Sequence, residues 1–198
     1  LGDVYKRQED EKALSLIIFL IYLENYTEFA KTYNISYNIT NIWKRGDVWN
    51  MKNNYFYAML SRMKYINRWG LMRNTRNENL SEHSLEVAFI AHALGVINNE
   101  VFGGDINAER LAVLGMYHDV TEIITGDMPT PVKYYSPYIR NAYKEVEQVA
   151  NEQMLSGLPE VLRARYEGLL LETENEAGLW EYVKAADRIS AYIKCIEE

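Results

Sequence analysis

The chain has 198 residues, 48% hydrophobic and 25% charged, which is enough for one domain with a sizeable core and too apolar for wholesale disorder. Its net charge of -7 excludes a general nucleic-acid coat, whose affinity would come from Lys and Arg against phosphate, but leaves room for a small anion on a local basic patch. The single cysteine, Cys195, excludes an intrachain disulfide framework and fits a reducing cytoplasm, and three histidines leave an imidazole-based metal site few candidates.

The chain opens without methionine, on "LGDVYKRQ", which resembles translated adapter sequence. The apolar run Ala13–Leu23 is shorter than the about 20 residues that a bilayer needs and lacks a signal-peptide cleavage site, so it reads as a buried helix or strand, with no membrane partner. "NYTEFAKTYNISYNITNIW" has no clear period. At Met51 the character changes: Tyr55, Met59, Met63 and Ile66 fall on one helical face. Residues 1–50 are therefore expected to be either upstream read-through or a genuine extension, with the domain over 51–198.

From Met51 onward the reading is all-α. "SEHSLEVAFIAHALGVI" has Ser81 as its candidate cap and an apolar stripe through Val87, Ala91 and Leu94. "NAERLAVLGMYHDVTEII" opens on Asn107 and stops at Gly126. An amphipathic helix over "SPYIRNAYKEVEQVANEQML" stops near Gly157, and a shorter helix follows Pro159. The last helix, "GLWEYVKAADRISAYIKCIEE", runs out at Glu198 with no stop signal and reads as truncated.

Polar residues interrupt three of these apolar faces. At about 100° per residue, His118 and Glu122 lie about 40° apart on one helix, with Asp119 at its edge. His83 continues the stripe of Val87 and Ala91, His92 points to the opposite side, and Asp187 interrupts Val183, Ala186 and Ile193. Any one of these alone is most simply a hydrogen-bonded core residue. Together, His83, His118, Asp119 and Asp187 form a mixed nitrogen and oxygen set, which suits one divalent transition metal such as Co²⁺ or Mn²⁺ better than Ca²⁺ or Mg²⁺. The spare histidine, His92, is on the wrong side for a second metal. The segment from Val48 to Asn77 has no acid but carries Lys52, Arg62, Lys64, Arg68, Arg73 and Arg76, an anion-attracting patch in an acidic chain.

The order His83, His118-Asp119, Asp187 resembles the HD superfamily of metal-dependent phosphohydrolases. Around it, "LSRMKYINRWGLMRNTRNENLSEHSLEVA", "INAERLAVLGMYHDVTEIITGDMPTPVKYY" and "VKAADRISAYIKCIEE" are similar, nearly residue for residue, to the bacterial HD-domain 5'-deoxynucleotidases of the YfbR type. The resemblance covers about Met51 to Glu198, and family members begin where Met51 stands and continue past Glu198. It implies an HD-domain helical bundle with the metal between helices. It also implies a cytoplasmic enzyme, dimeric at full length, that hydrolyses deoxyribonucleoside 5'-monophosphates and acts on no nucleic-acid polymer. Carried residue by residue, it implies Glu122 and Asp119 as catalytic groups, Arg68 on the phosphate, Trp69 against the sugar where it leaves no room for a 2'-hydroxyl, and Asp127 and Thr130 on the substrate. The rival readings are another HD phosphohydrolase, acting on dNTPs or alarmones, and a metal-binding HD protein without turnover. Glu122 weighs against the latter, which would have no use for an acid after the His-Asp pair.

Overall fold

The computed structural model describes residues 55–198. The apolar run Ala13–Leu23, the proposed start at Met51, and Lys52 lie outside the described residues. Among the described residues the elements are α1 (Phe56–Leu60), a 3₁₀ turn (Ser61–Tyr65), α2 (Leu80–Phe102), α3 (Ala108–Tyr117), α4 (Glu122–Thr125), α5 (Thr130–Lys133), α6 (Pro137–Ser156), α7 (Glu160–Leu170), a 3₁₀ turn (Glu174–Glu176) and α8 (Ala177–Glu197). They contain no strand, only an isolated bridge between Asn67 and Asn79.

The long helices start where the chain supplies a cap. The Asn79 side chain accepts from the backbone N–H of Ser81 and Glu82, and the Glu82 side chain accepts from the Asn79 N–H, so the cap of α2 is Asn79 rather than the expected Ser81. The helix closes on Gly103, whose φ of 71° an L side chain seldom adopts. Asn107 caps α3 as expected, and Ser136 caps α6. The stretch from Tyr55 to Ile66 is not one helix but α1 followed by the 3₁₀ turn, and it buries Phe56 and Met63.

Two apolar clusters hold the bundle. One joins α2, α3 and α8 through Val87, Ala91, Leu111, Leu114, Trp180, Val183 and Ala186. The other joins α1, α4 and α6 through Phe56, Met63, Val120, Ile123, Met154 and Leu155. Burying each large side chain contributes roughly 1.5 to 3 kcal/mol. Helices α2 and α3 pack closely because glycine stands at both contacts. A Cβ on Gly95 would lie 2.8 Å from Leu111 Cδ1, and one on Gly115 would lie 2.9 Å from Ala88 Cα. Helix α2 has the length and mean hydropathy, 1.3, of a membrane-crossing helix, yet its buried stripe of His83, Val87 and Ala91 is packed inside the bundle.

The segment between the first 3₁₀ turn and α2 is a pinned excursion. Its base is closed by Arg68 N–H to Glu78 O at 2.9 Å and Leu80 N–H to Ile66 O at 3.0 Å. Its tip is held by the Glu198 carboxylate, which accepts from Thr75 N–H at 2.7 Å and Thr75 Oγ1 at 2.6 Å.

Candidate active site

His83 is fully buried in the first turn of α2, where the capped stripe carries it inward. His118 and Asp119 are not in mid-helix. Helix α3 ends at Tyr117, and the pair occupies the turn that leads into α4 at Glu122. The helical-wheel relation of His118 to Glu122 therefore does not apply, and it is a turn that connects the two. This turn is bonded by Val120 N–H to Tyr117 O at 3.2 Å and Glu122 N–H to Asp119 O at 3.0 Å.

Ligand atoms of His83, His118 and Asp119 all lie within 4.8 Å of one another. Asp119 Oδ2 is 3.1 Å from His118 Nε2 and 3.5 Å from His83 Nε2. Asp187 adjoins them from α8, its Oδ1 3.1 Å from His83 Nε2. His92 is half-exposed and is not among the grouped ligands His83, His118 and Asp119 of the described residues. On α8 the inward stripe continues from Val183 and Ala186 to Ser190 and Lys194, both buried, rather than to Ile193.

These groups suit a divalent cation on grounds internal to the site. Nε2 of His83, Nε2 of His118 and Oε2 of Glu122 are buried with no hydrogen-bond partner, an expensive condition unless something else binds them. His118 Nδ1 is 2.8 Å from Gly115 O, so it carries the proton and leaves the Nε2 lone pair facing Asp119. Burial works against a charge on His118, but Asp119, Asp187 and the Gly115 carbonyl outweigh it and raise its pKa. Burial likewise opposes the Asp119 charge, and the two imidazoles still hold its carboxyl well below the usual range. Without an ion, protons on the imidazoles must balance the carboxylates; a divalent cation offers the same compensation.

Glu122 differs from both aspartates. Burial, then the negative charges of Asp119 and Asp127, push its pKa up to about 10. Arg68 is buried, and its Nη1 donates to Glu78 Oε1 at 2.6 Å. Its Nε is buried without a partner and its Nη2 is 4.0 Å from Asp187 Oδ1, so one edge of the guanidinium lies unsatisfied beside the ligands. Trp69 is half-buried with φ at 60°, a left-handed conformation for a non-glycine residue. The Asp127 carboxylate accepts the Trp69 N–H at 2.8 Å, which ties these two expected substrate-binding residues to each other. Thr130 is exposed at the start of α5.

Sequence reasoning missed Glu78 and Lys194. The Glu78 carboxylate bridges Arg68 and Lys194, with Lys194 Nζ 3.3 Å from Glu78 Oε2 and 5.1 Å from the centre of the Trp69 ring. One signal was available, since Glu78 is the first acid after the acid-free run that ends at Asn77.

The family model "5'-deoxynucleotidase YfbR-like" matches residues 55–198. The chain belongs to the YfbR-like family. Family relatives include the 5'-deoxynucleotidase plu3092 of Photorhabdus laumondii, 52% identical over 144 residues and 73% of each chain. Another is the 5'-deoxynucleotidase VV1113 of Vibrio vulnificus, 52% identical over 75% of this chain and 76% of the relative. An HD-domain phosphohydrolase from Listeria innocua superposes with a TM-score of 0.59 at 25% identity, over 68% of this chain and 64% of that one. The HD fold of YfbR-like proteins is thus also the all-α fold seen here.

Proposed function

We propose that this chain is a 5'-deoxynucleotidase that hydrolyses deoxyribonucleoside 5'-monophosphates to deoxynucleoside and phosphate. The observation that carries this reading is the convergence of two unpartnered imidazole nitrogens with Asp119 and Asp187, beside the unsatisfied edge of Arg68 and the acid Glu122. His83, His118, Asp119 and Asp187 would hold one divalent ion, which supplies positive charge at the phosphoryl group and lowers the pKa of water.

The chain's own groups divide the remaining work. Arg68 Nε and Nη2 bind and orient the phosphate, which fixes phosphorus for in-line attack and offsets charge on its oxygens. Glu122 moves a proton through its carboxyl group, accepting from the attacking water or donating to the leaving oxygen. Asp127 and Thr130 contact the substrate, and Trp69 fills the space that a 2'-hydroxyl would need. The catalytic unit is the domain over residues 51–198, acting in the cytoplasm. A homodimer finds physical support in Leu85 and Phe89, which are exposed on α2 at 48% and 67%.

Phosphate release from a panel of deoxy- and ribonucleoside 5'-monophosphates, with Mn²⁺ or Co²⁺ and with chelator, tests this. Release from deoxynucleotides that chelator abolishes is expected. Activity surviving chelation defeats the metal site, and equal rates on dAMP and AMP defeat the role of Trp69.

A further inference from the structure

Ser190 lies on α8 almost one turn past Asp187, only 1% exposed, between His83 and Glu86 of α2. Its single hydroxyl proton goes to Glu86 Oε2 at 2.9 Å, because a carboxylate oxygen can only accept. Toward His83 Nδ1, 3.2 Å away, the same oxygen must therefore accept, which places a proton on Nδ1. Glu78 leads independently to the same answer. Its Oε1 is 3.5 Å from His83 Nδ1, where a nitrogen lone pair would face an anionic oxygen. With Nδ1 protonated, Nε2 is the ring atom left for an ion beside Asp119 and Asp187, and in the ion's absence a proton there meets the same two carboxylates.

We infer that Ser190 and Glu86 are positioning residues for the metal centre: Glu86 orients the Ser190 hydroxyl, and that hydroxyl holds His83 in the tautomer whose Nε2 can bind an ion. The inference rests on the reading of the site as a divalent metal centre. His118 reaches the same tautomer through a backbone carbonyl, which no substitution can remove; His83 depends on side chains, which a substitution can. Burial of a serine on these helices does not by itself demand such a relay. Ser84, at 3% exposure next to His83 in sequence, has a hydroxyl with no partner.

Two measurements on chelator-stripped protein test the relay: Mn²⁺ affinity by calorimetry, and the His83 tautomer from imidazole ¹⁵N spectra recorded at a pH high enough for the ring to be neutral, which three histidines keep assignable. Ser190→Ala is expected to weaken Mn²⁺ binding about 10- to 100-fold and to shift His83 toward the Nε2–H form. Glu86→Ala moves both readouts in the same direction, whereas Glu86→Gln keeps an acceptor oxygen for the hydroxyl and stays near wild type. Ser84→Ala leaves both unchanged. If Ser190→Ala fails to fold, Glu86→Ala at its half-buried position decides the matter. Wild-type affinity with an unchanged tautomer overturns the inference while the metal reading stands. Lost affinity with an unchanged tautomer also overturns it, since altered packing would then suffice. A wild-type protein that binds no Mn²⁺ overturns the metal reading instead, and the tautomer comparison alone then decides the relay.

Discussion

Burial and the charges of Asp119 and Asp127 raise the Glu122 pKa, yet its Oε2 has no protein partner. A buried polar atom left unsatisfied costs about 1 to 3 kcal/mol, so its retention fits a group used in turnover. Glu122→Ala should lower kcat by about 10² to 10⁴-fold while leaving Mn²⁺ affinity within a few-fold of wild type; near-normal kcat would remove Glu122 from the mechanism. Trp69 makes a second residue-scale case. At φ 60° any residue with a Cβ is strained, and glycine is not. Trp69→Gly should therefore melt higher than Trp69→Ala, by a margin of about 1 kcal/mol in unfolding experiments. Both variants should lose discrimination between dAMP and AMP. The same ordering in stability without any change in discrimination would leave Trp69 a loop residue only.

The helices contribute by how closely they approach. Gly115 and Gly178 both lie in helices, but a Cβ at Gly115 would press into the α2 backbone at Ala88, whereas one at Gly178 would meet nothing within 4 Å. Gly115→Ala is expected to destabilise by about 1 to 3 kcal/mol through overpacking. Gly178→Ala should stabilise by roughly 0.5 to 1 kcal/mol through the lower backbone freedom of the unfolded chain. Denaturant midpoints measure both, and equal effects would contradict the packing of α2 on α3. Between α3 and the second 3₁₀ turn, Arg110 grips Glu176 with Nε at 2.7 Å and Nη2 at 2.8 Å, and these bonds hold the Glu176 carboxyl below its usual value. Because the folded-state pKa is the lower one, the tie contributes its full stability above the ordinary carboxylate value of about 4.3 and loses it as pH falls through the folded value. Glu176→Gln should flatten the acid side of the stability curve; an unchanged curve would show that the pair is screened.

For the whole molecule, the proposed ion would bind residues from α2, the α3–α4 turn and α8, so it would bind the folded chain far better than the unfolded one. Mn²⁺ at about 100 times its Kd should add about 2.7 kcal/mol and raise Tm, and chelator should reverse the rise. An unmoved Tm would mean that no such centre forms. Much of this architecture was legible in the sequence. Asn107, Gly157 and the period of Val87 and Ala91 report local rules of helix starting, stopping and facing. His83 and Asp187 stood out because polarity inside an apolar stripe is costly. The break after Tyr117 was not legible, since neither Gly nor Pro marks it between His118 and Glu122; the turn there presents ligands to partners far away in sequence. Glu78 and Lys194 were missed for a related reason. Each reads as a solvated surface charge until the fold sets them 3.3 Å apart under Trp69.

Gly115 has a consequence for ion choice. Its missing Cβ lets α3 lie against Ala88 of α2, and its carbonyl holds His118 Nδ1. The 5.2 Å between the two imidazole centroids thus rests on a main-chain contact and a backbone carbonyl on the His118 side, and on the buried Ser190 hydroxyl on the His83 side. A gap fixed in that way resists widening for a bulky guest or narrowing for a small one. Ionic radius, and not only preference for nitrogen over oxygen, therefore becomes a property by which the pocket can sort one divalent ion from another.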